Sequence, residues 1–356
     1  MSVPAATAGR ERLDQLWQRG RAFLGTRYAI MGGAMSWVSE RHLVAAISNA
    51  GGFGTLACGA MPPALLEAEI AGTRALTSLP FGVNLITMHP ELDALIDVCT
   101  RAGVSHVVLA GGLPPRGAID RIKASGAKVM CFTPALSLGR KLVRSGVDAL
   151  VIEGMEAGGH IGPVSTAVLA QEILPEIREV PIFVAGGIGR GEAIAMYLEL
   201  GAAGVQLGTR FVCATESIAH ARFKQAFIRA SARDAVPSVQ LDPQFPVIPV
   251  RALGNDATRR FMETQALVIE KFRKGEIDQK AAQLEIEHFW AGALRRAVID
   301  GDVESGSVMA GQSVGMVTRE QPTGEIIEEL VNQAAAALET RAPGALAAGD
   351  TRTGTG

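Results

Sequence analysis

Eight short apolar runs, rich in β-branched residues, recur through the first two-thirds of this chain and constrain its fold more than any other feature. They cover residues 28–31, 54–57, 81–85, 106–109, 128–132, 149–152, 181–185 and 204–208. Their near-continuous apolarity suits parallel strands covered on both faces. Between them, residues 40–50, 63–75, 91–102, 116–125, 136–145, 166–177 and 191–200 place apolar side chains at helical spacing. Gly103, Gly126, Gly146 and Gly201 stand just past four of these stretches, where a left-handed residue ends a helix. Strand and helix alternating eight times predicts an α/β chain of the (β/α)8 TIM-barrel class. A doubly wound open sheet would carry GxGxxG after its first strand. Here Gly51-Gly52-Phe53-Gly54 precedes a strand instead of opening a helix.

After Thr215 the pattern changes. Residues 217–232 read as a helix, 237–250 as a proline-punctuated irregular segment, and 256–274 and 279–299 as charged amphipathic helices. The expected organisation is a barrel over 21–216, a helical insertion or lid over 217–300, and a return to the barrel over 301–340. Residues 1–20 form an N-terminal extension, and the Gly/Ala/Thr-rich 341–356 an expected disordered tail. With 356 residues, 48% hydrophobic and 20% charged, a large core is available. The net charge of −2 gives no field that favours nucleic acid or an acidic membrane surface. There is no signal-type apolar stretch and no run of membrane-spanning length, which reads as a cytoplasmic protein. Cys58, Cys99, Cys131 and Cys213 match no zinc or redox spacing and read as small buried hydrophobes.

The chemistry-bearing stretch is Glu153-Gly154-Met155-Glu156-Ala157-Gly158-Gly159-His160-Ile161-Gly162, which follows the sixth apolar run. Glycines let backbone approach a ligand closely. His160 is the side chain there suited to moving a proton near neutral pH. Glu153 and Glu156 read as anchors of this loop through bonds to backbone N–H groups. Two further strand ends are glycine-rich, with Gly186 and Gly187 after the seventh run and Gly208 and Thr209 after the eighth. In such barrels these are the loops that hold a phosphate, because exposed N–H groups and a helix N-terminus meet there. Asn84 is a lone polar residue in the third run and needs a hydrogen-bond partner, in its own loop or on a planar ring. Of the other histidines, His42 reads as solvated, His89 as a structural loop residue, and His220 as a second-tier candidate near the cofactor end.

These residues sit in motifs that resemble the nitronate monooxygenase (2-nitropropane dioxygenase) family of FMN-dependent barrels. That family also holds flavin-dependent enoyl-acyl-carrier-protein reductases. The matching pieces are Gly32–Trp37, Asn49–Gly54, Pro80–Asn84, Glu153–Gly162, Ala185–Ile188, Gly208–Phe211, Arg251–Leu253 with Asn255, and Gly306–Gln312, in the family's order. The resemblance implies that Gly33, Ala34 and Met35 lie against the flavin ring and that Asn84 bonds its pyrimidine edge. It implies that Gly186, Gly187, Gly208 and Thr209 hold the FMN phosphate, with Gly159 beside the cofactor and His160 as the active-site histidine. Met309, Gly311 and Gln312 would return to the cofactor from the C-terminal segment. The chain departs from the pattern by an extra Ala34 before Met35. It also lacks a fifth-strand lysine near the flavin, for which Lys128 is a poor stand-in.

The resemblance implies oxidation of alkyl nitronates or nitroalkanes with O2 as the leading reaction. The alternative is an NAD(P)H-dependent enoyl-acyl-carrier-protein reductase. For that reaction the lid cations Arg251, Arg259, Arg260, Lys271, Arg273 and Lys274 would face an acidic carrier protein. A remote alternative is a non-catalytic barrel for a phosphorylated ligand. The expected partners are a small-molecule substrate with O2 or NAD(P)H, and a homodimer is left open.

Overall fold

A computed structural model describes residues 7–59, 61–242 and 249–341. Its strands are β1 (Ile30–Gly32), β2 (Gly54–Ala57), β3 (Phe81–Ile86), β4 (His106–Ala110), β5 (Lys128–Thr133), β6 (Ala149–Glu153), β7 (Gly159–His160), β8 (Ile182–Ala185), β9 (Gly204–Leu207), β10 (Ala235–Pro237) and β11 (Val250–Leu253). Eight of them form one parallel sheet in the order β1-β9-β8-β6-β5-β4-β3-β2. A parallel bridge between Met31 and Phe53 closes it, with Gly32 N donating to Phe53 O and Phe53 N to Ile30 O, both at 2.9 Å. The eight apolar runs are therefore the eight staves of a TIM barrel. The stave ends differ by a residue or two, as at Tyr28 and Ala29, which lead into β1, with Ala29 O accepting from Val205 N at 3.0 Å. Gly103, Gly126, Gly146 and Gly201 all take positive φ, so each stops its helix as the sequence requires.

The N-terminal mouth of the barrel is plugged. The helix Gln18–Leu24 inserts Phe23, whose ring lies 5.2 Å from that of His106 and 6.0 Å from that of Phe183. The Phe23 carbonyl accepts from His106 Nε2 at 3.0 Å and from Lys128 Nζ, whose ammonium also sits 4.8 Å from the Phe23 ring centroid. Lys128 thus belongs to the floor, at the far end from the strand C-termini. The helix Ala8–Leu16 docks on the helix Thr323–Thr340, where a Cβ on Gly9 would stand 2.1 Å from Ala335 O. The two helices of residues 8–24 are thus packed on the barrel and on its last helix.

The lid is a pair of helices, Asp256–Arg273 and Gln279–Val298, with a core of its own built on Phe261, Val268, Ile286 and Trp290. Asn255 and Thr258 form a capping box at the start of the first. Between lid and barrel lies a small antiparallel sheet in the order β10-β11-β7, with Val250 opposite His160 and Arg251 opposite Gly159. Of the irregular segment predicted over 237–250, residues 238–242 and 249 are irregular, Pro237 and Val250 belong to strands at its two ends, and 243–248 lie outside the described residues; His160, predicted in a loop, stands in β7. Strands of two to four residues are too short to show a period, so these went unread. The helix expected over 217–232 covers only Ala221–Arg229. Of the tail expected over 341–356, residues 342–356 lie outside the described residues. Among the described residues no helix is long and apolar enough to cross a membrane.

Burial lowers the His106 imidazole from 6.5 to about 4. A depressed histidine contributes stability that is complete above its unfolded value and is lost as pH falls from 6.5 through 4, about 3 kcal/mol when fully protonated. The His106→Gln variant should therefore melt below the wild type at pH 7, with the gap in Tm closing toward pH 4. A gap that stays constant or widens in acid would contradict this account of the floor.

Candidate active site

All eight barrel strands point the same way, so their C-terminal ends share one rim. Two adjacent segments of that rim carry unsatisfied donors. Among the described residues, the backbone N–H groups of Gly187, Ile188, Gly189, Gly208 and Thr209 donate to no protein acceptor. Buried or half-buried N–H groups rarely go unpaired, and a row of them at a strand–helix junction is an anion site. Gly186 and Gly187 adopt φ of 96° and 71°, which turns this backbone back over the rim. The Thr209 hydroxyl accepts from Gly311 N at 3.0 Å, which leaves its proton free to be donated. Gly33 and Met35 border the same place. A Cβ on Gly33 would stand 3.5 Å from Gly208 N, and one on Gly208 would stand 3.4 Å from Met35 Sδ. Ser39 holds this first loop, accepting from Met35 N at 3.0 Å and donating to Gly33 O at 2.8 Å. Ala34 lies between them, partly exposed. The extra residue before Met35 is accommodated with Met35 still against Gly208.

Three polar side chains line the inner wall below the rim. In a parallel sheet, residues in register share a face. Gly82 pairs with His106, Val151 with Phe183 and Phe183 with Gly204, and the His106 and Phe183 rings both pack on the Phe23 ring in the floor. Asn84, Glu153 and Gln206 each lie two residues further along these strands and so face the same interior, one layer nearer the rim. Among the described residues none of the three side chains makes a hydrogen bond within the protein. Asn84 and Gln206 are 6% and 7% exposed. Two amides and a carboxyl with open hydrogen-bonding capacity fit the polar edge of a planar heterocycle. Gln206 was missed in the sequence, although a lone amide in an apolar strand is the same signal that singled out Asn84.

The His160 loop is held from three sides. Arg251 N–H groups bind it from the lid, with Nε donating to Met155 O at 2.9 Å. Ile161 N donates to Pro249 O at 2.9 Å. The C-terminal segment crosses behind it: Gln312 N donates to Glu156 O at 2.9 Å, and Gly158 packs so closely that a Cβ there would stand 2.6 Å from Gly311 N. Met309 Sδ lies 3.7 Å from where a Gly159 Cβ would be. The phosphate-type loops, the first loop, the His160 loop and residues 309–312 therefore converge on one rim, with Asn84 in the wall beneath.

The two glutamates divide. Glu156 Oε2 accepts from both Thr166 N and Thr166 Oγ1 at 2.9 Å, tying the loop to the start of the helix Thr166–Ile173. Glu153 does not anchor the loop; its carboxyl faces the barrel interior instead. Burial raises the Glu153 carboxyl to about 7, with the neighbouring His160 opposing the rise. His220 is a helix cap, its Nδ1 accepting from Arg222 N at 3.1 Å, and it packs on Gly301. His89 accepts in the same way from Glu91 N. The four cysteines are buried, and burial pushes each thiol up to about 12.

The six lid cations do not form a free basic face. Arg251 is 2% exposed. Arg259, Lys271, Arg273 and Lys274 pair with Asp256, Glu285, Asp242 and Glu270. Among the described residues, Arg260 alone of the six is exposed without a carboxylate partner.

Two measurements test this geometry. Thr209→Val should weaken binding of inorganic phosphate at this rim about tenfold, read by titration calorimetry, because a charge-assisted bond is lost; unchanged affinity would remove the hydroxyl from the set of donors. A carboxyl held near 7 contributes stability present below 4.5 and lost as pH rises through 7. The apoprotein's Tm should therefore fall relative to that of Glu153→Gln between pH 5 and 8, and parallel curves would place Glu153 in an ordinary aqueous setting.

A model of the family described as nitronate monooxygenase matches residues 18–95 and 92–333. Among solved structures, FabK from Thermotoga maritima is 36% identical with a TM-score of 0.81, over 91% of this chain and 97% of that one. The nitroalkane oxidase of Streptomyces ansochromogenes is 28% identical with a TM-score of 0.73, over 88% and 97%. Among curated proteins, the (3aS,4S,5R,7aS)-5-hydroxy-7a-methyl-1-oxo-octahydro-1H-indene-4-carboxyl-CoA dehydrogenase of Rhodococcus jostii is 29% identical, covering 87% of this chain and 94% of its own. A family model spanning most of the barrel and lid, together with a relative above 30% identity across nearly the whole chain, makes this protein a member of the nitronate monooxygenase family.

Proposed function

We propose that this protein is an FMN-dependent oxidoreductase that oxidises a carbon acid, in the first instance an alkyl nitronate or nitroalkane with O2. The supporting observation is the convergence, on one barrel rim, of an anion cradle, a polar inner wall and a histidine loop. Gly186, Gly187, Gly208 and Thr209 would hold the phosphate through N–H groups and one hydroxyl. Asn84, with Gln206 and the protonated form of Glu153, would meet the ring's polar edge, while Gly33, Ala34 and Met35 would bear on its face. When bound, FMN supplies the redox chemistry.

The chain's own part is proton handling and position. A nitro group acidifies the carbon next to it, so the demanding step is removal of that proton by a base fixed beside it. His160 serves as this base for a neutral nitroalkane, and in its protonated form it stabilises an anionic nitronate. Its strand is pinned by β11 on one side, and the glycines before it pack on Met309–Gly311. The backbone that carries the imidazole is therefore held in place at the rim.

A second reading is NAD(P)H-dependent reduction of an enoyl thioester. It is favoured by the 36% identity to FabK and by the carboxyl-CoA dehydrogenase named among the relatives. A thioester carbonyl acidifies its α-carbon as a nitro group does, so His160 would serve either substrate. The neutralised lid cations favour a coenzyme A thioester over an acidic carrier protein in this reading.

The purified protein should carry or take up FMN, seen as a flavin absorbance spectrum. Under anaerobic conditions a nitronate should bleach it while NADPH does not. Bleaching by NADPH followed by reoxidation with an enoyl-CoA would select the second reading, and no flavin spectrum at all would leave only a phosphoryl-ligand-binding barrel. His160→Ala should keep FMN and lose on the order of 10²–10⁴-fold in turnover of a neutral nitroalkane. Near-normal turnover by that variant would take His160 out of the mechanism.

A further inference from the structure

The cradle is assembled from two loops that nothing local holds together. The ladder joining β8 to β9 ends at Ala185 and Gln206. Beyond it, among the described residues, no backbone hydrogen bond links 186–190 to 208–210. A phosphate gripped from both sides requires that gap to be fixed to within a few tenths of an ångström, because hydrogen bonds weaken steeply with distance and angle. Something outside the two loops must set it.

That something is on the helix Thr323–Thr340, which lies against the outer side of both loops. Arg210 directly follows Thr209 and is 3% exposed. Its Nη2 pairs with Glu329 Oε1 at 3.0 Å and its Nη1 donates to Gln321 Oε1 at 3.3 Å. Glu329 is its one carboxylate partner among the described residues. The same Glu329 Oε1 accepts from Gln333 Nε2 at 3.1 Å, and Gln333 Oε1 accepts from Gly191 N at 2.8 Å, at the end of the other loop. Gln321 Nε2 closes the network on Glu329 Oε2 at 3.3 Å. Gly191 fits flush on this helix, where a Cβ would stand 2.1 Å from Leu330 O.

We propose that Glu329 is a positioning residue for the anion cradle, setting the spacing between the loop after β8, through Gln333 and Gly191, and the loop after β9, through Arg210. The proposal rests on the FMN reading of the rim. Without the Glu329 charge, a buried guanidinium loses its counter-ion, and an uncompensated buried charge moves toward water. Arg210 would carry Thr209 with it, and the two halves of the cradle would no longer close on one anion.

The test compares FMN with riboflavin, which has the same ring and lacks the phosphate. Each is titrated into wild-type, Glu329→Gln and Glu329→Asp apoprotein, with Tm measured in parallel. Glu329→Gln should weaken FMN about tenfold while riboflavin shifts by less than about twofold, and Glu329→Asp should recover much of the FMN affinity. FMN affinity unchanged in Glu329→Gln, or FMN and riboflavin weakened in parallel, would reduce Glu329 to a structural residue and overturn the proposal. If Glu329→Gln does not fold, Gln333→Leu, which cuts only the arm to Gly191, carries the same comparison with the same signs. Wild-type protein that binds neither flavin would overturn the FMN reading itself, a result distinct from any behaviour of the variants.

Discussion

The constraint behind this structure is that a closed parallel sheet satisfies its backbone along its wall and stops doing so at its rims. Every stave ends in the same direction, so every interrupted ladder exposes donors at the same place. The N-terminal rim resolves this by plugging itself with Phe23, whose carbonyl absorbs the His106 and Lys128 donors. At the C-terminal rim, among the described residues, the N–H groups of Gly187, Ile188, Gly189, Gly208 and Thr209 donate to no protein acceptor. One end is thus filled and the other open, and barrels of this class place their sites at the C-terminal face.

Much of the fold was legible because it is periodic. Buried parallel strands read as apolar runs, and four of the helices between them ended at a glycine that takes positive φ. The short sheet β10-β11-β7 was not legible, since two to four residues carry no measurable alternation and their pairing is set by the lid. The glycine loops were readable as rows of open backbone donors because such a row needs only the absence of side chains. Glu153 was misread for the opposite reason. Its sequence neighbours suggested an anchor, and only the register with Ala185 shows that it faces inward. Glu329 had no sequence signal at all, being one carboxylate on an amphipathic helix more than a hundred residues from the loop it braces.

The lid acts less as a cover than as a frame. β11 gives the His160 strand a partner, Arg251 crosses beneath it to bind Met155, and Met309 packs against both the barrel core and the lid core. The lid's surface charges largely cancel one another, so its contribution is geometric rather than electrostatic.

The contact between the helix Ala8–Leu16 and the helix Thr323–Thr340 has a consequence for biosynthesis. The helix Ala8–Leu16 cannot bury this face until Thr323–Thr340 has been made, and Glu329 is synthesised later than every barrel strand. A nascent chain with all eight staves already translated would still hold an unbraced pocket and an unpartnered leading helix. Closure of this helix pair is thereby deferred until synthesis has passed residue 340, and a chain stalled before that point leaves apolar surface uncovered, which favours aggregation.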